Sequence, residues 1–100
     1  MITIVALLSI REAQAFEQFE RRAAAIMQTH GGRIDSAFRP AKSLANENQS
    51  IDEVHVLKFP NHEAFNSYRD DEKLLALAAL RERAISHSTV HVAAEEVDYS

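Results

Sequence analysis

The segment "ITIVALL" at Ile2 to Leu8 constrains the fold more than any other. It is rich in β-branched residues, which suit a pleated strand. Side chains of an extended chain alternate between two faces. Ile4, Ala6 and Leu8 take one face and Val5 and Leu7 the other, and both are apolar. The spacing therefore predicts a strand buried on both sides. An acceptable fold must supply a separate cover for each face.

The first cover follows directly in the chain. Ser9 and Glu12 fit the S-x-x-E capping pattern, in which hydroxyl and carboxylate each satisfy a backbone amide. Phe16, Phe19, Ala23, Ile26 and Met27 recur at helical spacing, which predicts an amphipathic helix over 11–29. Gly31 and Gly32 end it, since glycine accepts the left-handed conformation of many helix ends. A second strand is expected over 33–39. Ile34, Ser36 and Phe38 would share one face, with Arg33, Asp35, Ala37 and Arg39 on the other; that polar face suits an edge. The polar run "PAKSLANENQS" reads as a loop, and 52–59 as a third strand closed by Phe59-Pro60. Asn61 is a good N-cap for a short helix to Tyr68. Asp70 or Asp71 caps another running to about Ile85, and Ser88 to Val97 reads as the last strand.

The order is β-α-β-β-α-β, with the second helix broken. The chain also repeats weakly: "VALLSIREAQAFEQF" from Val5 aligns without gaps on "VHVLKFPNHEAFNSY" from Val54. Two such halves give an α+β, ferredoxin-like plan with a four-stranded antiparallel sheet. Right-handed crossovers place the first and third strands at its centre. Both helices then cover one sheet face. The second apolar face of the first strand requires another cover, because soluble monomers rarely expose large apolar patches. A second copy packed sheet on sheet supplies it, so a homodimer is expected. The alternative cover is the chain's own loop or tail.

Composition narrows the partners. The 100 residues fit one domain, 1–100. A net charge of -4 without a Lys/Arg stripe argues against a nucleic-acid partner. The absence of cysteine excludes disulfides, thiolate zinc sites and cysteine nucleophiles, and fits a cytoplasmic protein. The apolar N-terminus lacks a basic leader and is about half the length of a bilayer span, so no membrane partner is expected. No G-x-S-x-G elbow, P-loop, Rossmann glycine pattern or H-E-x-x-H is present, and neither metal nor cofactor is expected.

The stretches "HGGR" at His30, "FPNHEAFNSY" at Phe59 and "LRERA" at Leu80 carry a family resemblance. Together they resemble an uncharacterised bacterial family, domain of unknown function 1330, within the dimeric α/β-barrel superfamily. The resemblance implies a ferredoxin-like chain whose sheet packs on a twin's sheet. The wider superfamily includes cofactor-free monooxygenases, muconolactone-isomerase-like enzymes and haem-active proteins. Shared fold alone does not transfer those activities.

A pocket between sheet and helices would be lined by Phe16, Phe19, Phe65, Tyr68 and His55. His55 lies mid-strand between Val54 and Val56 and needs a hydrogen-bond partner, since an unpaired buried polar group costs about 1–3 kcal/mol. His91 lies mid-strand in the final segment. The two rings are expected to face each other across the first strand, about 10 Å apart at two strand spacings. A substrate could bridge that gap; a single metal could not. Histidine titrates near neutral pH and suits proton transfer. The competing reading makes both rings water- or backbone-bonded groups at a dimer interface. Arg39 and Arg81 are candidate carboxylate clamps, set against the more ordinary reading of surface or ion-pair residues.

His62 is expected to be exposed at a helix start, and His30 to sit beside a helix C-terminus. The functional expectation is a protein that binds a small organic molecule. Its enzyme version is a cofactor-free isomerase or monooxygenase with His55 and Tyr68 as proton carriers. The alternative is a non-catalytic homodimeric interaction module.

Overall fold

The computed structural model describes residues 1–40 and 51–100. The predicted loop at 41–50 lies outside the described residues. Strand β1 (Ile2–Ile10) is central, as its two apolar faces require. The remaining elements are α1 (Ala13–Thr29), β2 (Arg33–Phe38), β3 (Glu53–Phe59), α2 (His62–Arg69), α3 (Glu72–Leu75), α4 (Ala78–Ala84) and β4 (Ile85–Val92). The sheet is antiparallel in the order β2-β3-β1-β4.

Ile4, Ala6 and Leu8 are buried, and they pack with Phe16, Phe19 and Ala23 or Met27 of α1, Phe65 and Tyr68 of α2 and Ala84 of α4. The helices thus cover a single face. On the other face Val5, Leu7, Val54 and Val56 are only half-buried, and Phe38 is 54% exposed.

Three local expectations are overturned. The Ser9 capping box does not form, because Ser9 stays in the ladder opposite His87. Glu12 is the N-cap of α1 and makes no side-chain cap bond. The end of β1 is instead tied by the Asp52 carboxylate, which accepts the Ile10 N–H at 2.7 Å, and by the Arg11 N–H donating to Ala84 O at 2.8 Å. In β2 the register shifts between Ile34 and Ser36, leaving Asp35 as an extra residue. Such a bulge reverses the alternation. Ile34 therefore pairs with Leu57 on the helix face, whereas Ser36 and Phe38 pair with Val56 and Val54 on the bare face. Finally, β4 spans Ile85–Val92, starting straight out of α4, rather than Ser88 to Val97.

The turn after α1 needs both glycines. Gly31 has φ +75°, the region that favours glycine. A Cβ on Gly32 would lie 2.4 Å from the Phe59 ring. Phe59 is 0% exposed and packs edge-on against Phe65, at 5.2 Å between centroids, and beside Tyr68 at 5.4 Å.

His30 fastens the end of α1 to the start of α3. Its Nε2 lies 2.7 Å from Asp71 Oδ2, while Asp71 Oδ1 caps α3 by accepting the Lys73 N–H at 2.8 Å. The His30 bond, followed by the Lys73 amide, holds the Asp71 carboxyl below its usual range. A depressed carboxylate stabilises the fold above its unfolded pKa, and that contribution is lost as pH falls through the folded value. Asp71→Asn should therefore flatten the acid limb of stability below about pH 4 and change its slope little near neutrality. Urea unfolding across pH 2–7 measures it, and an unchanged acid limb would show that the pair contributes nothing.

Candidate functional site

The apolar stripe of α1 carries one charge. Glu20 follows Phe16 by four residues and precedes Ala23 by three, so it points with them toward the sheet. Beneath it, alternate residues of β3 share the helix-facing side: Glu53, His55, Leu57 and Phe59. The fold thereby brings two carboxylates and an imidazole together under α1.

His55 is 5% exposed. Its Nε2 lies 2.5 Å from Glu53 Oε2, and its Nδ1 lies 3.7 Å from Glu20 Oε2. Glu53 Oε1 in turn accepts the Arg39 Nε–H at 2.9 Å. The Phe16 ring closes over the imidazole at 6.3 Å between centroids. Basic and acidic side chains alternate along this row: Arg39, Glu53, His55, Glu20.

Two hollows flank α1. One is a cavity of about 480 Å³ between the sheet and the helices, walled by apolar groups such as Leu8, Phe19, Phe65 and Leu74. Its polar lining includes Glu20, His55, Tyr68, Arg69, Arg81 and Ser88. Val90 and Val92 of β4 also line it and are exposed, which marks an opening at that sheet edge. The other hollow, about 470 Å³, lies on the β2 side of α1 and is lined by Phe16, Arg21, Arg39 and Glu53. Glu20 lines both.

The electrostatics differ from group to group. Burial raises the Glu20 carboxyl above its ordinary range; the Glu53 charge adds to this, while His55 and Arg81 oppose it. Burial acts the same way on Glu53, but hydrogen bonds from Arg39 and His55 outweigh it, and that carboxyl is lowered. Burial pushes the Tyr68 phenol up to about 12, the Glu20 charge adding and Arg81 opposing. At neutral pH Tyr68 is therefore a hydrogen-bond donor and Glu53 an anion. Glu20 is the carboxylate with increased affinity for a proton.

The structure gathers Phe19, His55, Phe65, Tyr68 and Arg81 on the cavity. Phe16 touches the site only through its tilted contact with the His55 ring and lines the second hollow. Arg39 also lies there, committed to Glu53. Arg81 donates to Ser88 Oγ at 3.0 Å and keeps other N–H groups free for a ligand.

His91 does not join them. Ala6 pairs with His55, whereas Val5 pairs with His91, and neighbouring residues of β1 point to opposite faces. The expectation that the two rings face each other is thus corrected: they lie on opposite sides of the sheet. His87, opposite Ser9, shares the bare face with His91.

Sequence reasoning missed Glu20 and Glu53. Both left a signal: a charge inside a helical apolar stripe, and a carboxylate two residues from a strand histidine.

This architecture defines the chain as a ferredoxin-like α+β protein with a cavity under its helices. It belongs to the DUF1330 family, a domain of unknown function, whose model matches residues 3–94. No curated protein matches it closely enough to count as a relative. Solved structures share the fold. A protein of unknown function from Rhodopseudomonas palustris matches at TM-score 0.84 and 16% identity, over 97% of this chain and 83% of that one. A dabb family protein with a ferredoxin-like fold from Mesorhizobium loti matches at 0.70 and 13%, over 96% and 97%. SnoaB, a cofactor-independent oxygenase from Streptomyces nogalater, matches at 0.69 and 17%, over 98% and 95%. Among the described residues no helix is long and apolar enough to cross a membrane.

Proposed function

We propose that the chain binds a small, largely apolar organic molecule in the cavity and moves a proton on it without a cofactor. One observation carries this reading: a buried histidine held between two carboxylates at the wall of an apolar cavity. A polar cluster of that kind burdens a core with desolvation, and perturbed titratable groups in a cleft favour a functional site over a structural one. Tyr68, kept as a phenol, serves as the donor in the same cavity. The likeness to a cofactor-independent oxygenase supports the compatibility of this fold with such chemistry.

The apolar bare face supports the companion proposal, a homodimer packed sheet on sheet.

Native mass spectrometry of freshly purified protein tests both proposals, since it reads assembly and retained ligand together. The expected species is a dimer carrying extra mass. His55→Ala leaves Glu53 and Glu20 without the ring between them, and should lose the extra mass while remaining a dimer. Retention of the same mass by the variant would remove His55 from the site.

A further inference from the structure

His55 is an awkward group for a ligand to reach. Glu53 occupies its Nε2 and Glu20 faces its Nδ1. Glu20 stands in front of it, lining the cavity directly. Tyr68 adds a donor to the same chamber. It is 8% exposed and lines the cavity, and its hydroxyl is not among the buried unpaired polar atoms, so it stays open to whatever fills the cavity. A base and a neutral donor thus share one apolar chamber, with the cations Arg69 and Arg81 also in its lining. Arg69 lies over the Phe65 ring, 5.7 Å from its centroid.

Resting on the function proposed above, we infer that Glu20 is the catalytic base and that the substrate is a small apolar keto acid with an acidic C–H beside its carbonyl. The carboxylate of such a molecule meets Arg81 and Arg69, and its apolar body meets Phe19, Phe65 and Leu74. Glu20 takes the proton from carbon. The C–H electron pair becomes the new C=C bond, and the carbonyl π pair moves to oxygen. Tyr68 donates a hydrogen bond to that oxygen, where charge develops. The proton then returns from Glu20 to a conjugated carbon, which gives net isomerisation, or to the same carbon, which regenerates the substrate. No oxidant or reductant is required.

The groups facing Glu20 suit this role. His55 and Glu53 approach from β3, Arg81 from α4 and Tyr68 from α2. The raised affinity of Glu20 for protons brings it closer to working pH, where a general base is most effective. Because Glu20 also lines the second hollow, a proton held on its carboxyl has an exit to solvent on the far side of α1. The result is exchange as well as isomerisation.

Two aromatic keto acids separate binding from chemistry. Phenylpyruvate has an acidic CH₂ beside its carbonyl; benzoylformate has the same ring, ketone and carboxylate but no such C–H. Binding of both is followed by titration calorimetry on the full chain. Loss of the phenylpyruvate CH₂ signal in D₂O is followed by proton NMR against a buffer blank. The wild-type protein should bind both and accelerate exchange of phenylpyruvate. Glu20→Gln, checked for folding by circular dichroism, should still bind benzoylformate and lose about 100-fold or more of the exchange rate. Glu20→Asp should retain part of it and guards against a folding defect in the amide variant.

Exchange by Glu20→Gln at the wild-type rate would overturn the assignment of the base. Binding of both acids without accelerated exchange would overturn the substrate class and leave the cavity reading standing. Binding of neither would remove the cavity reading, and this inference with it.

Discussion

Phe59→Ala is expected to lower folding stability by about 3–5 kcal/mol, the range for truncating a buried phenylalanine. Phe59 is 0% exposed and is walled by Phe65, Tyr68 and Gly32. Its backbone cannot close the void, because it is the last β3 residue in register with β1, opposite Ile2, and Pro60 follows. A domain of this size has only about 5–15 kcal/mol in total, so the variant should be close to unfolding at 37 °C. Each kcal/mol corresponds to roughly 4–8 °C in Tm at this length, which makes the expected fall more than about 12 °C. Urea unfolding followed by circular dichroism measures it. Phe59→Leu should recover much of the loss, since it refills most of the volume. A fall under about 1 kcal/mol for the alanine variant would mean that the aromatic cluster is not the core it appears to be on burial alone. Tyr68 packs on the same ring, so the variant should also loosen one wall of the cavity.

How much of this was legible in the sequence depended on the range of the forces involved. The two apolar faces of Ile2–Leu8 fixed the central strand, because alternation is a property of the local backbone. Asn61 was readable as a cap for the same reason, and so was a cap at Asp70 or Asp71; Asn61 accepts the Ala64 N–H, and the structure selects Asp71, which accepts the Lys73 N–H. Long-range choices were not readable. Ser9 carries a capping signature, yet pairing opposite His87 outweighs it and extends β1 to Ile10. The bulge at Asp35 reverses the faces of Ser36 and Phe38, and no residue type announces it. His91 was misplaced because a single step along β1, from Ala6 to Val5, separates its partner from that of His55. Glu20 had a visible signal, but a lone acid in an apolar stripe gains meaning only when β3 sets Glu53 and His55 beneath it.

Leu7→Asp should convert the proposed dimer to a folded monomer. Leu7 lies at the middle of the bare face, between Val54 and Thr89, with Val5 and Val56 one pair along. Phe38 adjoins Val54 on the same face. Lys58, paired with Thr3, and His87 and His91 lie at its margins, a polar rim around an apolar centre. In a twofold contact of two such faces, the substitution buries two unpaired carboxylates. Each costs several kcal/mol after relaxation, so Kd should rise about 1000-fold or more. In the isolated chain the same side chain meets water, so the fold should lose only about 1 kcal/mol. Sedimentation velocity distinguishes the outcomes. A wild-type monomer would end the dimer proposal, and an intact dimer in the variant would move the interface off this face. The cavity lies on the other side of β1, where Ala6 and Leu8 point toward the helices. A folded Leu7→Asp monomer should therefore still bind benzoylformate. Loss of binding together with the dimer would instead favour assembly as the main function. On these two proposals, the two covers that β1 demands divide the work: assembly on one face and chemistry on the other.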